Sequence, residues 1–222
     1  MTVLLLVLTF ATFIVIDLVL NRKKAPKIAT EAELQPVMAE SDPEVVGGFA
    51  VPSNVRYHPG HTWVQRERKN VNRVGADAFA AAFAGPVDRI ELPKPGQWVR
   101  QGQKVASFIR NGEKIELVSP VEGEVVEINS TLLTNPSLLR EEPYGKGWMM
   151  NVFSPDEDSP ARNLLPVNLV RSWMQEAADR LFALQPQLAG ATAADGGEPV
   201  ADPAAALDAK TWKKAAEEFF LS

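Results

Sequence analysis

The side chains able to do chemistry in this 222-residue chain are few. Cysteine is absent, which excludes disulfides, thiolate nucleophiles and every zinc or iron–sulfur site built on thiolates. His58 and His61 are the only histidines, too few for a histidine-rich metal site. The sequence holds no Gly-x-Ser-x-Gly elbow, no Gly-Lys-Ser/Thr phosphate loop and no His-Glu-x-x-His zinc helix. Tyr144-Gly145-Lys146-Gly147 imitates a phosphate loop, but without its spacing or the following Ser or Thr. Asp77, Glu91 and Glu116 would act as acid and base only if the fold brought two of them together. Asn111-Gly112, between two apolar runs, is the dipeptide that most strongly signals a two-residue type I′ hairpin. The expectation is a chain that is not an enzyme and holds no metal. A formal net charge of −5 also leaves no basic surplus for nucleic acid.

The elements that would position these residues begin after an apolar segment. Residues 2–16 carry no charge, Asp17 interrupts, Leu18–Leu20 resumes, and Asn21-Arg22-Lys23-Lys24 ends the run. About 20 residues at 1.5 Å rise match the roughly 30 Å hydrocarbon core of a bilayer. A secretory signal would place positive charge before the run and a small-residue cleavage site after it, and neither is present. Residues 1–21 therefore read as a single transmembrane anchor. The basic cluster that follows puts the N-terminus outside and the rest in the cytoplasm. Pro26, Pro36, Pro43, Pro52 and Gly47-Gly48 make residues 22–54 read as a flexible tether, with a reach of roughly 30 Å.

Beyond Val55, short apolar runs are cut by Gly and Pro. His61–Arg66, Asp88–Leu92, Trp98–Arg100, Val105–Ile109, Ile115–Val118 and Glu124–Asn129 predict strands of a small β-barrel or sandwich. Asp77–Phe83 is Ala-rich and reads as a short helix with Asp77 at its start. Pro136–Arg140 reads as a helical turn. Over 167–184, Val170, Met174, Ala177, Ala178, Leu181 and Leu184 fall on one helical face before Pro186. Residues 185–201 are rich in Ala, Gly and Pro and read as a linker. Asp202-Pro203 then looks like an N-cap with proline at the first helical position of an amphipathic helix. Its stripe of Trp212, Ala215, Ala216, Phe219 and Phe220 would pack either on its own domain or on a partner.

Residues 55–184 resemble the H-protein of the glycine cleavage system, a lipoyl-type β-barrel of mainly β class with short helices. His61-Thr62-Trp63-Val64 stands where that family has His-x-Trp-Val. Val74-Gly75, the short helix and Ile90-Glu91-Leu92-Pro93 follow in the family's order. Gly96 and Gly102, then Ser119-Pro120-Val121-Glu122-Gly123-Glu124-Val125-Val126-Glu127-Ile128-Asn129, are similar to the two halves of a lipoyl domain. Glu142-Pro143-Tyr144-Gly145-Lys146-Gly147-Trp148 stands where the family shows Glu-Asp-Pro-Tyr-Gly-x-Gly-Trp. By residue type alone, Trp63 and Trp148 would fill the core and rim of a small barrel, and His61 would be a structural histidine.

The resemblance also implies how such a protein works. A lysine at a hairpin tip is joined to lipoic acid, and the arm carries an aminomethyl group between enzymes. That lysine lies eight residues before the Pro of the Ser/Ala-Pro-Val element, a count that lands here on Gly112. The acid usual just before it is replaced by Ile109 and Arg110. The expectation is a membrane-anchored module without lipoate, acting as an adaptor among protein partners in a membrane-associated complex. The alternative is a true lipoyl carrier modified at Lys114, the one nearby lysine.

Overall fold

The structure, a computed structural model, describes residues 43–155, 163–184 and 202–221. The anchor segment, most of the tether and the linker at 185–201 lie outside the described residues. Among the described residues no helix is long and apolar enough to cross a membrane.

Among the described residues, three antiparallel sheets carry the fold. The largest has the order β3 (Arg56–His58), β4 (Thr62–Arg68), β5 (Val71–Ala76), β11 (Met150–Phe153), β10 (Gly123–Ile128) and β7 (Trp98–Val99). The second joins β6 (Arg89–Glu91), β8 (Lys104–Arg110) and β9 (Glu113–Val118). All of the predicted strands are present within a residue or two, because Gly and Pro punctuate this region closely enough to fix strand ends. Both larger sheets feed one core. Val64, Val74, Val125, Met150 and Val152 come from the first, and Ala106, Phe108, Ile115 and Leu117 from the second.

The third sheet corrects the domain boundary. Residues 43–54 do not belong to a tether: β1 (Glu44–Val46) and β2 (Phe49–Val51) form a hairpin across Gly47-Gly48. Val46, Phe49 and Val51 are buried in the common core, with Phe49 edge-on to Phe79. Two tyrosines fasten this hairpin from the other side. The Tyr144 hydroxyl donates to the Ala50 carbonyl at 2.8 Å, and the Tyr57 hydroxyl donates to the Pro52 carbonyl at 3.0 Å. The prolines that made the stretch look like a linker sit at its two ends, outside the ladder, where a missing N–H does no harm.

Among the described residues, five short or medium helices complete the domain. In α1 (Ala78–Ala84) Asp77 is the N-cap, accepting from the Ala80 N–H at 2.8 Å, as its position in the sequence predicts. A short helix not expected from the sequence, α2 (Ser130–Thr134), precedes the expected turn at Pro136–Arg140, which is α3 (Leu138–Glu141). Helix α4 (Val167–Ala183) buries Val170, Met174, Ala177, Ala178 and Leu181, the face its periodicity predicts, while Leu184 just beyond it is exposed. Helix α5 (Ala209–Phe220) starts later than Asp202-Pro203. Asp208 caps it, accepting from the N–H groups of Lys210 and Thr211 and from the Thr211 hydroxyl. Asp202 lies seven residues before the helix, and its carboxylate pairs with Arg110 instead.

Candidate functional site

The β8–β9 hairpin is the element on which the functional reading turns. Arg110 pairs directly with Glu113, leaving Asn111 and Gly112 as a two-residue loop with φ of 51° and 82°. Positive φ at both positions is the type I′ geometry, which matches the twist of the flanking strands. Asn tolerates the left-handed region and Gly enters it freely, so these two residues select this turn.

Two contacts hold the hairpin tip down. The Asn111 N–H donates to the Asp88 carboxylate at 2.7 Å, tying the tip to the segment leading into β6. The Arg110 guanidinium forks onto Asp202 at 3.0 and 2.6 Å and also reaches the Ala84 carbonyl at 3.3 Å. Both partners of the fork are only 19% exposed, a setting in which a bidentate pair holds geometry better than a surface pair.

Lys114 lies on β9 opposite Ile109, two residues past the tip. Its side chain is 47% exposed, and the ammonium sits 3.3 Å from Glu116. Glu116 also accepts from Lys104 at 2.8 Å. Hydrogen bonding from Lys104, with a smaller contribution from Lys114, holds the Glu116 carboxyl below the ordinary carboxylate range. A lipoyl group needs a lysine amine at the point of attachment. The tip residues Asn111 and Gly112 offer none, so the tip as built does not fit that group.

The other sequence candidates are dispersed. His61 is 1% exposed, and its Nδ1 lies 2.8 Å from the Asp77 carboxylate. The ring is stacked between Phe79 and Trp173, at 4.1 and 4.5 Å between centroids. That is the environment of a structural histidine, and Asp77 serves both it and the α1 N-cap. His58 is a separate group whose Nδ1 accepts the Gly60 N–H at 3.0 Å. Desolvation pushes its pKa down, so the neutral ring that makes this bond is favoured. Glu91 pairs with Arg89, and Glu116 with Lys104, so no two of the three carboxylates considered meet. Lys146 pairs with Glu142 four residues back on the surface, the ordinary fate of an exposed lysine and not a phosphate cradle. Among the described residues there is no group of acids and histidines fit to hold a metal ion.

Trp63 and Trp148 take the core and rim positions expected of them. Trp63 is fully buried, and its indole N–H donates to the carbonyls of Ala76 and Pro143 at 2.8 and 3.2 Å. Arg73 lies over the Trp148 ring at 5.3 Å. Gly75 is glycine for want of space: a Cβ there would stand 2.4 Å from Trp63 Cζ2. Tyr57 and Tyr144 are held neutral, since burial raises both phenols above their ordinary range. The partners of these side chains were not legible from local sequence, because each contact depends on strand register or on residues distant in the chain.

A mainly β domain of antiparallel sheets with short helices, its β8–β9 hairpin closed at Asn111-Gly112, is thus the class that fold and site define. The family model "Glycine cleavage H-protein" matches residues 55–177, more than half of the chain. The chain is 35% identical over 118 residues to the glycine cleavage system H protein of Thermobifida fusca, spanning 53% of this chain and 91% of that one. It is 32% identical over 128 residues to that of Bacillus licheniformis, spanning 58% and 99%. The crystal structure of the Mycobacterium marinum H protein covers 57% of this chain and 98% of its own, at 22% identity and a TM-score of 0.48. This chain belongs to the glycine cleavage H-protein family.

Proposed function

We propose that this chain is an H-protein-family module without a lipoyl arm, tethered to a membrane as an adaptor within a larger protein assembly. The observation that carries this reading is the hairpin tip. Asn111-Gly112 closes it as a two-residue turn, and Asp88 and Arg110 fasten it from either side. A carrier arm needs a lysine amine at the hairpin tip, and this tip, though exposed, carries none. The membrane part rests on the uncharged run at 2–16 and the basic residues that follow it, which favour an outside N-terminus and a cytoplasmic domain. A carrier moving among soluble enzymes has no use for such an anchor, whereas an adaptor does.

Intact-mass measurement of the protein from its native host, grown with ample lipoate, tests the first half. An unmodified chain is expected, and a lipoyl increment located on Lys114 would overturn it. Lys114 keeps that second reading open because its side chain is about half exposed. Membrane attachment is tested by fractionation: deleting residues 1–21 should move the protein to the soluble fraction. Protease added outside intact cells should leave residues 55–222 uncut. Pull-down from detergent-solubilised membranes should recover membrane-associated proteins, and recovery of soluble glycine-cleavage components alone would count against an adaptor.

A further inference from the structure

The C-terminal segment 202–221 goes beyond the H-protein match, which ends at residue 177, and it lies on the face that carries the hairpin. Its contacts are of two kinds. At one end Asp202 clasps Arg110, the last residue of β8 before the turn. At the other, α5 lays one stripe against the domain and packs along β9. Trp212 stacks on Phe83 at 5.7 Å, and Phe219 and Phe220 meet the same ring edge-on at 5.9 and 5.3 Å. Phe219 also sits edge-on to Phe79 at 5.0 Å. Across the top, Arg180 of α4 pairs with Glu218 and lies over the Phe219 ring.

Everything α5 contributes is amphipathic. The stripe is buried, while Lys210, Lys213, Lys214 and Glu217 face solvent. Asp208 caps the helix from within its own segment, so the helix does not depend on the domain for its start. The preceding residues 185–201 are rich in Ala, Gly and Pro. This is the arrangement of a helix bound in a groove, with groove and ligand in one chain.

We propose that residues 202–221 are a displaceable internal ligand, and that the groove beneath them is a protein-docking site. The site accepts an amphipathic helix bearing an aromatic and alanine stripe, preceded by a carboxylate for Arg110. The chain's own segment defines that chemistry. While it is docked it fills the groove and fastens the hairpin. A partner helix would compete for both contacts at once, and an internal competitor lowers the partner's apparent affinity by the fraction of time the groove is open. The inference stands apart from lipoylation and from membrane attachment, and its test needs neither.

The probe is a fluorescent synthetic peptide with the sequence of residues 202–221, titrated by anisotropy against the full-length chain. Trp212→Ala with Phe219→Ala in the chain weakens the internal ligand and leaves the groove intact. This variant is expected to bind the peptide saturably and at least about tenfold more tightly than the unaltered chain. Arg110→Ala in the same background, or Trp212→Ala in the peptide, should reduce that binding. Equal binding by the two chains, or binding indifferent to Trp212 of the peptide, would overturn the proposal. Native-state hydrogen exchange on the unaltered chain supplies an independent measurement if the variant fails to fold. Helix α5 amides should exchange through a local opening while β10 and β11 stay protected. Exchange of α5 only with global unfolding would make the segment a fixed part of the core and end the proposal.

Discussion

Gly112→Lys places an amine where the H-protein pattern has one, and its effect can be worked from the hairpin geometry. A Cβ at position 112 meets nothing within 4 Å, so the substitution carries no steric term. The backbone there has φ of +82°, and an L side chain in the left-handed region costs about 1–2 kcal/mol. For a domain of this size each kcal/mol lowers Tm by about 2–4 °C, so a fall of about 2–8 °C is expected with the fold retained. The assay is intact mass after co-expression with a lipoate-attaching enzyme. The variant should gain a lipoyl group on the new lysine, and the unaltered chain should gain none. Modification of the unaltered chain at Lys114 would refute the reasoning that tip placement decides. So would a folded variant that stays unmodified, because the tip would then be unreadable for some other reason.

Further outcomes follow from buried contacts. Asp77→Ala removes an N-cap, at about 0.5–2 kcal/mol, and orphans the buried His61 ring nitrogen, at about 1–3 kcal/mol. Urea unfolding should show a loss near the sum, and Asp77→Asn, which keeps a capping oxygen, should lose less. Gly75→Ala forces Trp63 away from its carbonyl partners and should destabilise by about 1–3 kcal/mol, with a shift in tryptophan fluorescence. His58 has its pKa lowered in the folded state, so the unfolded chain binds the proton more readily. Stability should therefore be full above the ordinary histidine pKa and decline as pH falls below it. His58→Gln should flatten that slope in thermal melts taken between pH 7 and 5.

How much was legible depends on whether a contact is local. The Asn111-Gly112 turn, the Asp77 cap and the buried face of α4 each follow from a few neighbouring residues, and each is where the sequence puts it. The β1–β2 hairpin was hidden by Pro43 and Pro52, though Gly-Gly between Glu44-Val45-Val46 and Phe49-Ala50-Val51 is itself a hairpin signal. The start of α5 was misplaced because Asp202-Pro203 has the form of a helix start, whereas the cap is Asp208, which meets the Lys210 and Thr211 N–H groups. The pairing of His61 with Asp77 needs β4 and β5 in register, and periodicity says nothing about it. Which side of α5's stripe meets which surface was likewise open until Phe83 appeared beneath it.

The sheet edges give the C-terminal segment a second meaning. An unpaired strand edge is a template for another chain, and proteins blunt it by shortening, charging or covering it. Here β1, β2, β3 and β6 are three residues long and β7 is two, too short to recruit much. Strand β9, at six residues, is the long edge among the described strands, and α5 is packed against it. Cutting the segment away would therefore uncover a growth point for edge-to-edge aggregation as well as a groove. A truncated chain that precipitates would be reporting on the lost guard of β9, which makes point substitutions in the stripe the cleaner way to free this face.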